Sequence, residues 1–269
     1  MRIDEYHRYT GRLVAGLEDD DRVLGIVGLG STARSGREPD SWSDHDVWIV
    51  VRDGEQERFR SHVGWLPDAD QIAWWHRETE HGLSVIYRSG HLVECAVFAA
   101  AELSVARANW AAVLLDRGGI ADRIAALQAH TASTIERPAS EWLLGQLLAA
   151  LVVGASRWAR GERLSGQYRL MDGIRHLVRL LAAHVPSSRP DLLDELDPVR
   201  RVELAWPAIG AELDRIVVLP APEAALRVVA LLRAELASLV APHGAVLAAV
   251  TELATTSRTG ASEAGNDGQ

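Results

Sequence analysis

The sequence contains no lysine, because all 28 basic residues are arginine. A Walker-type phosphate-binding lysine and a Schiff-base lysine are therefore excluded, and any phosphate must be bound by arginine, backbone amides or a metal ion. The single cysteine, Cys95, excludes an internal disulfide framework and a cysteine-rich zinc site. The formal net charge of -9 argues against a general surface for nucleic acid or anionic membranes.

Signals for export and membrane insertion are also lacking. The opening residues, MRIDEYHRYTGRL, are charged and amphipathic rather than a signal peptide, and no apolar run reaches transmembrane length. We therefore expect a cytoplasmic protein that binds neither nucleic acid nor membranes. The acidic balance would suit a cationic small molecule as a partner.

The chain divides into two halves of different character. Apolar patterning predicts a helix over residues 4–18 and strands over 22–29, 46–51, 70–78, 82–90 and 91–98. From residue 120 onward, apolar residues recur at helical spacing and prolines punctuate the helices. One predicted helix, 200–217, contains Pro207, which should kink or restart it. We predict an α+β fold with a small mixed α/β domain (1–119), an all-α helical bundle (120–254) and a disordered polar tail (255–269).

The segment GLGSTARSGREPDSWSDHDVWIVV, residues 28–51, carries the strongest functional signal. Gly28, Gly30 and Ala33 fit the dinucleotide fingerprint G-x-G-x-x-A, and Asp53 follows at a suitable distance. That fingerprint needs a full crossover helix of about ten residues or more before the next strand. The polar loop that follows, with Gly36 and Pro39, is too short for one, so a dinucleotide site is disfavoured.

Two interpretations of this segment remain. A Gly30–Ser31 turn at a strand end could bind phosphate through backbone amides and the serine hydroxyl. Asp44 and Asp46 lie two apart on a predicted strand and so point to the same face, where both carboxylates could hold one Mg²⁺. The alternative is a plain turn between strands, with both aspartates simply solvated.

The spacing GS-x12-DHD resembles the signature of the DNA polymerase β-like nucleotidyltransferase superfamily, in particular its antibiotic-modifying members. The resemblance implies a third carboxylate on a later strand, which Glu94 in HLVECAVF supplies as the general base beside the metal ligands Asp44 and Asp46. The alternative for Glu94 is an edge-strand glutamate that faces water. The resemblance also implies nucleotide contacts from Gly30, Ser31 and Arg34. His45 departs from the family pattern, which has an apolar residue there, but alternation should point it to the opposite face.

With the segments WLLGQLLAALVVGASRWARGE (142–162) and RLMDGIRHLVRLL (169–181), the helical half is similar to the bundle of two-domain lincosamide nucleotidyltransferases. Tyr168 and Arg169 lie around a predicted helix–helix turn, RWARGERLSGQYRL, and are candidates to contact a triphosphate, because the chain offers arginine and no lysine. A solvated turn explains them equally well. Such enzymes often form homodimers, which we therefore expect. An R-x4-6-H pattern at Arg169 and His176 resembles helical ribonucleases, but arginine-rich helices produce such matches freely.

These features predict an Mg²⁺-dependent nucleotidyltransferase that moves NMP, most readily AMP from ATP, to a hydroxyl of a small molecule. A cationic antibiotic of the lincosamide or aminoglycoside kind is the leading acceptor. The alternatives are an antitoxin-like or protein-modifying nucleotidyltransferase, and a nucleotide-binding relative without activity.

Overall fold

A computed structural model describes residues 1–33 and 38–263. It confirms the predicted α+β fold, with one mixed sheet and many helices. The strands are β1 Val23–Leu29, β2 His45–Val51, β3 Ile72–Arg77, β4 Gly82–Tyr87, β5 Leu92–Ala99 and β6 Ala111–Asp116. The helices are α1 Ile3–Leu17, α2 Gln56–Arg60, α3 Ile120–Thr134, α4 Ser140–Ala159, α5 Arg163–His184, α6 Val202–Ala205, α7 Pro207–Val217, α8 Ala221–Glu235, α9 Ala237–Val240 and α10 Gly244–Glu263.

The sheet lies in the first of two compact units, Met1–Ile135. Its strand order is β3-β4-β5-β2-β1-β6. Strands β2 and β5 pair in parallel, whereas every other neighbouring pair is antiparallel. The sequence pattern does not predict β6, since a continuous apolar run such as AAVLLD is equally compatible with a helix.

Both faces of the sheet carry a hydrophobic core. On one face, Leu13 of α1 packs with Ile49 of β2 and Val97 of β5. On the other face, Ile124 of α3 packs with Trp48 of β2. Alternating side chains of β2 and β5 therefore enter different cores, which fixes the register of the two strands.

Helix α3 belongs to the first unit, so the predicted domain boundary at residue 119 lies too early. Gly119 does break the chain, with a left-handed φ of 69° just before α3. The helix then returns to the sheet, where Ile120, Ile124 and Leu127 are buried against the second core. A two-sided sheet needs this cover, and the break therefore separates β6 from α3 rather than one unit from the next.

The second unit begins at Glu136 and is built around one core supplied by its longer helices.

Two segments, Ser140–Ala159 and Ala237–Arg258, are long and apolar enough to cross a membrane, contrary to the expectation from apolar runs. Leu147 on the first segment and Val250 on the second are buried in the core of this unit. Core helices of globular proteins pass the same test of length and composition, so these segments are weak evidence for a membrane span.

Two predicted features of the helical half change in detail. Pro207 interrupts the predicted helix 200–217, which forms α6 and then α7 with Trp206 between them, as expected of a ring that cannot continue a helix. The polar tail predicted from residue 255 is helical as far as Glu263, and the Thr255 and Ser257 hydroxyls donate to carbonyls one turn earlier. Residues 264–269 lie outside the described residues.

Candidate metal and nucleotide site

Three carboxylates from two neighbouring strands meet at one end of the sheet. Asp46 and Glu94 are direct partners in the parallel register of β2 and β5. Asp44 lies just before β2, and one carboxylate oxygen from each of the three residues lies within 4.8 Å of the others. Asp44 and Asp46 are half-buried and Glu94 is exposed, so the cluster opens to solvent. The pairing of β2 with β5, and not alternation along either strand alone, brings the three side chains together.

The residues that alternate with these carboxylates point into the opposite core. The His45 side chain is fully buried, and Cys95 is 3% exposed beside Leu83 and Val97. Burial raises the pKa of the Cys95 thiol to about 12. The alternation that exposes Glu94 therefore keeps the thiol away from the site and protonated at neutral pH.

The Gly30–Ser31 turn borders the acidic cluster directly. Gly30 has a left-handed φ of 50°, and a methyl group added there would lie 3.5 Å from Asp46 Oδ2. Gly28 is also needed, since a Cβ there would lie 2.8 Å from the Thr32 carbonyl oxygen of the turn.

The turn is a four-residue 3-10 helix, Gly30–Ala33, which is too short for a substantial helix dipole. The Gly30 N–H donates to Trp110 O at 3.0 Å. Gly30 therefore contributes its conformation rather than its amide.

A buried histidine pair lies beneath the aspartates. His45 Nδ1 and His91 Nε2 are 2.8 Å apart, while His45 Nε2 lies 3.0 Å from Thr10 Oγ1 and 3.3 Å from Tyr6 O. A carbonyl can only accept, so His45 Nε2 carries the proton and Nδ1 accepts from His91. Burial and the neighbouring His91 lower the pKa of His45 to about 3, and burial also lowers the pKa of His91. Both imidazoles are therefore neutral near pH 7.

The donor set suits a divalent cation that prefers oxygen ligands. Carboxylates at this separation repel one another, and a cation bound among them offsets that repulsion. Mg²⁺ usually takes one or two protein carboxylates and completes its shell with water and substrate phosphate. An open, three-carboxylate cluster beside a glycine–serine turn fits that requirement.

The other predicted nucleotide contacts lie elsewhere in the chain. Arg34 lies outside the described residues. Tyr168 and Arg169 lie on α5 in the second unit, where Tyr168 is 78% exposed and Arg169 pairs with Asp172. Tyr168 and Asp172 line a cavity of about 410 Å³ within that unit. Their contact with nucleotide stays a prediction.

Among the described residues, Tyr6 and Thr32 also touch this site, and the sequence alone did not single them out. The Tyr6 hydroxyl donates to Asp44 O at 2.9 Å and lies 2.7 Å from Thr32 Oγ1. The only sequence signal for Tyr6 is its place on the apolar face of the predicted first helix. That pattern indicates burial but does not say which part of the sheet the side chain reaches.

The face assignment of β5 is tested by the reactivity of Cys95. We expect native protein at mildly alkaline pH to react with a thiol reagent far more slowly than protein unfolded in guanidinium, because the thiolate is the nucleophile and burial suppresses it. Labelling followed by mass spectrometry measures both rates. Native labelling as fast as unfolded labelling would place Cys95 on the solvent side and turn Glu94 into the core.

No protein-family model matches the sequence, and no curated protein matches it significantly. Among solved structures, the chain is similar to an aminoglycoside 6-adenyltransferase from Bacillus subtilis, at 15% sequence identity and a TM-score of 0.34. The alignment covers 93% of this chain and 97% of that one. A likeness of this level carries no conclusion about activity or substrate.

Proposed function

We propose that the protein is an Mg²⁺-dependent nucleotidyltransferase that transfers NMP from an NTP, most readily ATP, to a hydroxyl of a small molecule. One observation carries this proposal: the carboxylates of Asp44, Asp46 and Glu94 lie within 4.8 Å of one another beside the Gly30–Ser31 turn. A metal cluster alone would suit many reactions. Its combination with a glycine–serine turn that can approach phosphate favours nucleotidyl transfer.

Each residue of the site has a distinct part in this reaction. Asp44 and Asp46 would hold Mg²⁺, which when bound neutralises charge on the triphosphate. Ser31 would donate its hydroxyl to a phosphate oxygen. Glu94, the most exposed of the three carboxylates, would accept the proton of the acceptor hydroxyl. The acceptor oxygen then bonds to the α-phosphorus, and pyrophosphate leaves.

A cavity of about 370 Å³ next to Asp44 is the proposed place for the acceptor. Ser43, Ser89 and His91 line it with polar groups, and the Trp42 ring, 93% exposed, supplies a flat apolar surface. Hydroxyls and an imidazole beside an aromatic face suit a hydroxylated ring compound. An antibiotic of the aminoglycoside or lincosamide kind meets that description. Cytoplasmic location and homodimer formation belong to the same proposal.

The acceptor class can be identified by mass spectrometry of reactions that contain the protein, Mg²⁺, each NTP and a panel of hydroxylated drugs. Addition of an NMP mass to a drug supports the proposal. The same addition to a protein would instead favour a protein-modifying enzyme. No addition anywhere, with no pyrophosphate released, would favour a relative that binds nucleotide without activity.

Asp46→Asn tests the metal site, because the amide keeps the size of the side chain and removes its charge. We expect turnover to fall by about a hundredfold or more, with an unchanged far-UV circular dichroism spectrum. Pyrophosphate release measures turnover. Asp53→Asn is the matched control, since exposed Asp53 follows the opposite end of β2. Near-normal activity of Asp46→Asn would refute the metal assignment.

Glu94→Gln tests the proton acceptor separately. The amide cannot take the acceptor proton, so the transfer rate should fall roughly a hundredfold or more while the affinity for Mg-NTP is largely kept. Single-turnover kinetics and equilibrium nucleotide binding separate the two effects. Loss of nucleotide binding in parallel with the rate would instead make Glu94 a metal ligand, and normal turnover would remove it from the mechanism.

A further inference from the structure

One phenol joins two parts of the site that are distant in sequence. Tyr6 of α1 is 1% exposed, and its hydroxyl oxygen lies 2.7 Å from Thr32 Oγ1, 3.3 Å from Ser31 Oγ and 2.9 Å from Asp44 O. Ser31 and Thr32 belong to the turn proposed to meet phosphate. Asp44 belongs to the acidic cluster proposed to hold the metal.

The direction of these hydrogen bonds follows from the donors and acceptors present. The backbone N–H of Asp46 can only donate, and it donates to Thr32 Oγ1 at 3.1 Å. The single Tyr6 proton goes to the Asp44 carbonyl, so the Tyr6 oxygen accepts the proton of Thr32. A directed chain thus runs from Asp46 N–H through Thr32 and Tyr6 to Asp44 O. It ties both residues of the aspartate pair to the turn.

The position of the Tyr6 ring is fixed by its surroundings. It stacks on the His45 imidazole, with ring centroids 3.7 Å apart and planes at 16°. One helical turn later, Tyr9 packs against the same imidazole, and its hydroxyl lies 2.9 Å from that of Tyr87. Because packing holds the ring in place, the Tyr6 hydroxyl is a fixed hydrogen-bonding point for both the turn and the start of β2.

We propose that Tyr6 is a positioning residue that sets the spacing between the phosphate-binding turn and the metal-binding aspartates. This inference rests on the proposed function. Tyr6 is closed to solvent and would act through its contacts with Thr32 and the Asp44 backbone. Without its hydroxyl, the Asp44 carbonyl loses its donor and the turn loses its link to the start of β2. The carboxylates then spend less time in the arrangement that binds a cation.

Tyr6→Phe and Tyr9→Phe form a matched pair for the test. Each removes one buried hydroxyl from the same helix, so both should lower the melting temperature by a few degrees. We expect only Tyr6→Phe to weaken the binding of Mn²⁺, measured by electron paramagnetic resonance with and without ATP, by about 10- to 100-fold. Its turnover should fall over the same range, while Tyr9→Phe keeps both. Equal behaviour of the two variants would overturn the inference.

Thr32 provides a second test, which also serves if Tyr6→Phe does not fold. Thr32→Val breaks the chain at its other member and should weaken Mn²⁺ binding as Tyr6→Phe does, whereas Thr32→Ser keeps a hydroxyl and should restore it. The double variant Tyr6→Phe/Thr32→Val should lose little more than either single variant, because both remove the same link. Additive losses, or no rescue by serine, would contradict the proposal.

The same measurements separate this inference from the proposed function. If Asp46→Asn leaves Mn²⁺ binding and turnover intact, the metal site itself is wrong. If Asp46→Asn abolishes Mn²⁺ binding while Tyr6→Phe matches Tyr9→Phe, the site stands and only the positioning role of Tyr6 fails.

Discussion

The first unit depends on the parallel pairing of β2 with β5. This register places Asp46 opposite Glu94 and brings Asp44 to within 4.8 Å of both. The two cores fix both strands from opposite sides of the sheet, so the carboxylates stay together at its rim.

Alternation of side chains links this charge cluster to the two cores. From the site inward, β2 sends His45, Val47 and Ile49 toward α1, and Trp48 and Val50 toward α3. A slip of one residue would bury the aspartates and expose His45. The neutral histidine pair adds polar contacts beneath the aspartates without adding charge. The packing of the whole unit therefore determines which carboxylates face the solvent.

Local sequence patterns predicted the parts of the site that depend on local geometry. Alternation along a strand is enough to place Asp44 and Asp46 on one face, and the resemblance to nucleotidyltransferases supplied Glu94. Local patterns do not predict that β2 and β5 pair in parallel, since this depends on the path of the β3–β4 hairpin, which separates them in the sequence but lies beyond β5 in the sheet. The same limit applies to Tyr6, whose helix pattern indicates burial but names no partner.

The domain boundary shows a similar limit. Gly118–Gly119 is a genuine break in local structure, yet the helix that follows is held in the first unit by contacts with Val27 and Trp48, far away in sequence. Local signals mark where an element ends. The need to bury the second face of the sheet decides which unit the next element joins. Predicting this requires the order and direction of the strands.

The proposed function requires that Asp44 and Asp46 bind a divalent cation together with nucleotide. The most direct measurement is an anomalous difference map from crystals grown with Mn²⁺ and a non-hydrolysable ATP analogue. We expect a manganese peak roughly 2–2.5 Å from carboxylate oxygens of both aspartates, with the triphosphate against Ser31. Nucleotide bound elsewhere, or a cluster that holds no manganese beside bound nucleotide, would contradict it.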